Sequence, residues 1–322
     1  MSLSPTGRPA LPLAPLHPVP VASHRPWAGR RLGEGVGEQW LAGPASLVEP
    51  GDGKRQTLDE LAASHGRDLV GTRGLALLGP RFPLLVKVID AAEWLSLQVH
   101  PGDALAAELH GPGSLGKAEA WVVLGADAGT RLITGADPGL DDAALRDLIA
   151  DRTMDRAHCA EQPGRPGDTF LIRAGTIHAI GAGLLVYEIE QPSDLTYRIS
   201  DWGRPSTTAR PLHTREALRA VVPGFHAVPS GSGWSLDGGA LTVHEFRLEL
   251  VTAGATGIAT VERHPAGASL EIVTAVHGRV EVAGDGWRET LEPFGTVVIP
   301  AAVQAYTITA LDDAVACIGS IP

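Results

Sequence analysis

A chain of 322 residues is long enough to bury more than one hydrophobic core. Its formal charge of −11 and pI near 5.5 argue against nucleic acid or an anionic membrane surface as partner. The two cysteines, Cys159 and Cys317, cannot build a disulfide framework, and no apolar run approaches the roughly 18 residues of a spanning helix, so a soluble, cytoplasmic protein is expected.

Residues 1–25 are proline-rich and lack the basic-then-apolar pattern of a signal peptide, and they read as an extended leader. Two apolar runs of strand length follow at 83–89 and 95–100, separated by a turn-like Asp90-Ala91-Ala92. In the second run Ser96, Gln98 and His100 alternate with Leu95, Leu97 and Val99, which places the three polar side chains on one face. Residues 103–110 predict a short helix capped by Asp103 and stopped by Gly111-Pro112-Gly113. A strand is expected at 121–124, and a helix at 141–151 with Leu145, Leu148 and Ile149 at helical spacing. Strands follow at 169–172, 184–189 and 196–199, then a helix at 214–222.

Residues 229–239 are rich in Gly and Ser and read as a linker. Beyond it, 240–322 alternates strands with closely spaced turn signals, the pattern of an all-β barrel or sandwich. His244, His264 and His277 lie in this tail without an acidic residue at ligand spacing, and they read as surface or turn histidines.

Three stretches carry candidate metal ligands in order: LSLQVHP (95–101), GKAEAW (116–121) and GDTFLIRAGTIHAI (167–180). His100, Glu119 and His178, with the amide of Gln98 as a fourth candidate, form a nitrogen/oxygen set without sulfur. That set suits a catalytic zinc ion with an open position. Two histidines and a carboxylate also suit non-haem iron, and Gln98 can instead bind substrate or a metal-bound water.

The third stretch resembles the second cupin motif, GDx4PxGxxH, with Arg173 in place of the proline. Gln98-x-His100 with the later Glu119 resembles the first cupin motif, with Gln for its first His and an insertion carrying the 103–110 helix. More specifically, FPLLVKVIDAAEWLSLQVHP, GKAEAW and the run from Gly167 through EIEQPSDLTYRISDW resemble type I mannose-6-phosphate isomerases in their short bacterial form. HRPWAGRRL and GEQW upstream add to the likeness, which runs over residues 26–201; the last third matches only in being β-rich.

This resemblance implies a mainly β protein: a cupin (jelly-roll) barrel with small helical insertions plus a second cupin-like β domain. The expected division is a leader at 1–25, a metal-binding catalytic domain at 26–228 and a metal-free domain at 240–322. It implies one zinc ion held by Gln98, His100, Glu119 and His178. Arg198, Lys117 and Glu188 match its catalytic positions, and Ser96 and Lys87 its phosphate contacts. The implied reaction interconverts mannose 6-phosphate and fructose 6-phosphate through an enediol(ate), with a sugar phosphate as the partner and no signal for an oligomeric state. Lys117, beside a metal and Glu119, is expected to have a lowered pKa. Gly116, where longer members have His, and Ala28, in a PWG-type segment, depart from the pattern. An iron-dependent cupin dioxygenase and a non-catalytic sugar-phosphate-binding cupin are the alternatives.

Overall fold

Alternating apolar residues build strands through most of the chain, and the computed structural model is mainly β. It describes residues 11–51, 53–205, 207, 210–253 and 257–322; residues 1–10 of the expected leader lie outside the described residues. Among the described residues no helix is long and apolar enough to cross a membrane.

The chain forms two compact units, and neither is contiguous. One combines the described part of Met1–Val21 with Trp40–Val86 and Gly238–Pro322; the other combines Ala22–Gln39 with Lys87–Asp237. The expected boundaries at 26–228 and 240–322 do not coincide with these units, because residues 40–86 group with the C-terminal strands.

The reason lies in a helix absent from the sequence expectations, α1 (Leu58–Leu78). Thr57 and Glu60 form a capping box at its start, and Leu58, Leu61, Ala62, Leu69 and Val70 are buried. Non-helical residues at His65 and Gly71 break its hydrophobic period, which hides it from pattern reading. At the break the backbone N–H of Thr72 and Arg73 donate to Gly267 O and Ala268 O, and Ala301 N donates to Leu69 O. In the same unit Leu16 pairs with Val298 through two backbone bonds, so this part of the expected leader is fixed.

The C-terminal strands of this unit make two antiparallel sheets. Leu241–Thr242, Arg247–Thr252, Val315–Ser320, Glu271–His277 and Thr296–Ile299 form one; Ile258–Arg263, Tyr306–Leu311, Val280–Gly284 and Trp287–Leu291 form the other. Both sheets contribute to one aliphatic core that includes Val273, Ala275, Ile308, Ala310, Ala316 and Ile318.

In the other unit residues 87–90, then the strands Leu184–Glu190, Glu119–Ala126, Thr169–Ile172, Val228–Ser232 and Ser235–Leu236, lie side by side in that order. The last two correct the expected linker at 229–239: they form a hairpin whose first strand pairs with Thr169–Ile172. Gly, Ser and Pro are tolerated there because this is the edge of a sheet. Glu119 stands opposite Glu190, and Trp121 opposite Glu188. Opposed residues and every second residue share a face, so all four side chains fall on the same side of the sheet.

A second strand pair, Leu97–Val99 with Tyr197–Ser200, sets Gln98 opposite Arg198. Gln98 also exchanges two backbone bonds with His178. Gly175 N donates to His100 O at 2.8 Å; its φ of +89° makes the sharp turn that the motif requires, and a Cβ there would lie 2.6 Å from Val222.

The helices α2 (Asp103–His110), α3 (Asp142–Ala150) and α4 (Thr214–Ala220) fall where expected. One cap differs. Gly102, not Asp103, is the N-cap of α2, and the Asp103 carboxylate instead accepts Gly116 N at 2.7 Å and Gln191 Nε2 at 3.0 Å.

Candidate active site

The strand register brings His100, Glu119 and His178 together, all buried. Glu119 Oε2 lies 3.3 Å from His100 Nε2, and Oε1 lies 3.3 Å from His178 Nε2. The far side of each ring is committed: His100 Nδ1 lies 2.8 Å from Leu195 O and His178 Nδ1 lies 2.8 Å from Thr176 O. A carbonyl only accepts, so each Nδ1 carries the proton and donates it. Burial lowers both imidazole pKa values, that of His100 to about 4 with Lys117 adding to the effect, so both rings are neutral near pH 7.

Each Nε2 therefore presents a lone pair toward Glu119, and the donor nearest this group is the Lys117 ammonium, 2.8 Å from Glu119 Oε2 and 3.5 Å from His100 Nε2. Three buried acceptors facing one another are stabilised by a cation between them. The donor set fits a metal, and backbone bonds behind both histidines hold the rings in orientation. Gln98 Nε2 lies 3.2 Å from His178 Nε2, while Ser96 Oγ donates to Gln98 Oε1 at 3.3 Å. Rotation of that amide would present its oxygen to the cluster as a fourth donor.

Beside the histidines lies a dense charge cluster. Lys117 Nζ is 2.8 Å from Glu119 Oε2, 2.6 Å from Glu190 Oε2 and 3.6 Å from Glu188 Oε1. Lys87 Nζ is 2.8 Å from Glu188 Oε1 and 3.2 Å from Glu190 Oε1. Burial disfavours the charged form of Lys117, but Glu119, Glu190 and Glu188 outweigh it and hold the ammonium well above its usual range. The lowered value expected for Lys117 counted a neighbouring metal ion; the three carboxylates act in the opposite direction. Lys87 is raised in the same way, burial being overcome by Glu188 and Glu190.

Of the two neighbouring carboxyls, Glu190 is pushed well above the usual range by burial, with Glu188 adding to it against the pull of both lysines. Burial and Glu119 oppose ionisation of Glu188, but Lys87 and Lys117 hold it down at about 2. Two ammonium groups thus face the three carboxyls of Glu119, Glu188 and Glu190, of which Glu190 is the one burial and its neighbours push toward the protonated form.

Arg198 is half-buried, and its NH1 donates to Pro211 O at 2.8 Å. Burial and the neighbouring Arg210 lower its pKa. Two residues passed over in the sequence also belong to the site. Trp121 Nε1 donates to Glu188 Oε2 at 2.8 Å, and Gln191 Oε1 accepts Ala118 N at 2.9 Å between Lys117 and Glu119. Strand alternation from Glu119 was the available signal for Trp121; Gln191 gave none. His244, His264 and His277 take no part in a metal-ligand cluster among the described residues.

A mainly β fold with two histidines and a glutamate converging inside it defines a cupin-type protein with a candidate metal centre. A family model for the catalytic domain of type I phosphomannose isomerase matches residues 32–114. A mannose-6-phosphate isomerase of Streptococcus mutans is 38% identical over 232 residues, covering 67% of this chain and 71% of the relative. One of Bacillus subtilis is 34% identical, covering 66% and 71%. The crystal structure of mannose 6-phosphate isomerase from Bacillus subtilis superposes with a TM-score of 0.76 at 26% identity, over 95% of this chain and 99% of that one. The chain belongs to the type I phosphomannose isomerase family.

Proposed function

We propose that the protein interconverts mannose 6-phosphate and fructose 6-phosphate, with a zinc ion held by His100, Glu119, His178 and Gln98. The observation that carries this reading is the convergence of the neutral His100 and His178 on Glu119, within a chain of this family. A bound zinc ion supplies Lewis-acid stabilisation of negative charge on substrate oxygen.

The chain's own residues supply the rest. The reaction removes the C2 proton of the open-chain aldose, delivers a proton to C1, and moves a proton between the two oxygens through an enediol(ate). Glu188 is the ionised carboxylate available to take the carbon-bound proton. Lys117 is held cationic and is suited to give a proton to oxygen, or to stabilise the oxyanion, rather than to act as the first base. Arg198, a permanent cation with a planar fork, suits the enediolate or a hydroxyl pair.

Ser96 and Lys87 are assigned to the phosphate end. Lys87 is already paired with Glu188 and Glu190, so phosphate binding there must draw its ammonium away from one of them. Lys87→Met then raises KM for the phosphorylated sugar more than it lowers kcat; the opposite split assigns Lys87 to the charge cluster alone.

The test is a coupled assay of mannose 6-phosphate conversion before chelation, after it, and after zinc restoration, with metal content measured at each stage. Activity lost and restored with zinc supports the proposal. No conversion by the zinc-loaded protein overturns it, and iron in the native protein with oxygen uptake supports a dioxygenase instead.

A further inference from the structure

We infer that Trp121 is a positioning residue: its indole N–H fixes the carboxylate plane of Glu188 for the proposed isomerisation, on which reading this inference rests. Trp121 is two residues beyond Glu119 on one strand and directly opposite Glu188 on the next, so its side chain points to the same face as both. The indole is 1% exposed and Glu188 3%. Nε1–H donates to Oε2 of Glu188 at 2.8 Å, while Oε1 faces Lys87 at 2.8 Å and Lys117 at 3.6 Å.

The two carboxylate oxygens are therefore distinguished by their partners: one is held by a neutral donor, the other by two cations. Beyond the indole the packing is apolar, with Trp121 in a cluster that includes Val123, Val186, Phe170 and Ile172. Apart from the indole of Trp27, no other side chain in that cluster carries a donor. Without the Trp121 N–H a buried carboxylate oxygen loses its partner, and rotation of the carboxylate toward the ammonium groups becomes its means of satisfaction. The same ring stands edge-on to His178, centroids 5.5 Å apart at 68°, so one side chain braces both a candidate metal ligand and a candidate base.

Trp121→Phe keeps most of the ring and removes the donor. In the zinc-loaded full chain we expect kcat to fall about 10- to 100-fold with KM changed less than about twofold, the loss of a hydrogen bond to a charged group. In a Glu188→Ala background, where no carboxylate remains to be positioned, the same change is expected to lower kcat by less than about twofold. Full kcat in Trp121→Phe, or an equal loss in both backgrounds, overturns the inference.

Should Trp121→Phe fail to fold, benzothienylalanine at 121 keeps the shape of tryptophan with sulfur in place of N–H, and the same outcomes apply. A crystal structure of the substituted protein separates this inference from the functional reading. Wild-type protein that does not turn over mannose 6-phosphate ends that reading; Glu188 unmoved on loss of the N–H ends this one.

Discussion

Glu119 and Glu271 each begin a strand of an antiparallel sheet, one in each unit, and each is buried. Beyond that start the two inner faces diverge. After Glu119 come Trp121 and then aliphatic side chains, and the carboxylate meets two neutral imidazoles and a lysine. After Glu271 come Val273 and Ala275, and the carboxylate accepts bonds from Arg263 and from the Tyr306 hydroxyl. A buried carboxylate needs compensation. Glu271 is compensated by an arginine and a hydroxyl alone; Glu119 has a lysine beside it but also two neutral imidazole lone pairs, and that surplus of lone pairs suits a metal. One kind of residue thus builds structure in one unit and a candidate centre of chemistry in the other.

The largest contrast is between Glu119→Gln and Glu271→Gln. Glu119→Gln should lower kcat/KM by at least about 1,000-fold with loss of bound zinc, because a charged ligand is removed from a buried cation. Glu271→Gln should leave kcat/KM of the folded fraction within about twofold while lowering Tm, since it weakens only the contacts with Arg263 and Tyr306. Metal analysis, the coupled assay and thermal melts check both. Equal loss of turnover in the two variants would break the comparison.

Arg263→Met sharpens it from the cationic side. Arg263 bonds both Glu249 and Glu271, and its loss leaves two carboxylates in the C-terminal unit without their main partner. Arg263 and Glu249 are partly buried and Glu271 is buried, so the loss should cost about 1.5–3 kcal/mol, the range for hydrogen bonds to charged groups, readable in urea unfolding. A pH dependence accompanies it. Burial opposes ionisation of Glu249, but hydrogen bonds from Arg263 and Arg247 outweigh it and hold the carboxyl at about 2, against a usual 4.5.

A carboxyl depressed in the folded state binds fewer protons there than in the unfolded chain. Its stabilisation is complete above the usual value and is lost as pH falls from about 4.5 toward 2. Melts of the wild type should therefore lose stability through that window, and Arg263→Met, whose Glu249 is less depressed, should lose less across it. A superimposable profile in the variant would deny the arginine this role.

The candidate ligands were legible because they sit on short local patterns: alternation around Gln98 and His100, and the turn at Gly175 before His178; the structure brings His100, Glu119 and His178 together. The C-terminal strands were legible for the same reason, their apolar period being regular. What stayed hidden depended on partners far along the chain. The register that sets Glu190 against Glu119 brings the carboxylates that surround Lys117, and no local spacing reports it. The helix α1 carries breaks at His65 and Gly71, so its apolar residues fall out of helical period. The Gly- and Ser-rich hairpin at the sheet edge has the composition of a linker, and its pairing with Thr169–Ile172 is what makes it structure.

The smallest effect expected distinguishes the approaches to the two glutamates. Glu271 follows Ser269 and Leu270, both buried with their side chains accommodated. Glu119 follows Gly116-Lys117-Ala118, and a Cβ on Gly116 would lie 2.6 Å from three backbone atoms: Asp103 N, Gly102 C and Pro101 O. The same glycine donates its N–H to Asp103, and Gln191 ties Asp103 to Ala118. Room for any side chain at 116 must therefore come from parting residues 101–103 from the segment that leads through Lys117 to Glu119. Gly116→Ala should cost about 1–3 kcal/mol of stability, the range for an overpacked site, and should lower kcat as Lys117 shifts. Ser269→Ala should cost less, since it removes only the hydroxyl that accepts Ile321 N and donates to Leu270 O. Should Gly116→Ala prove neutral in both melts and kcat, the tight approach to Glu119 would not be what sets the position of Lys117.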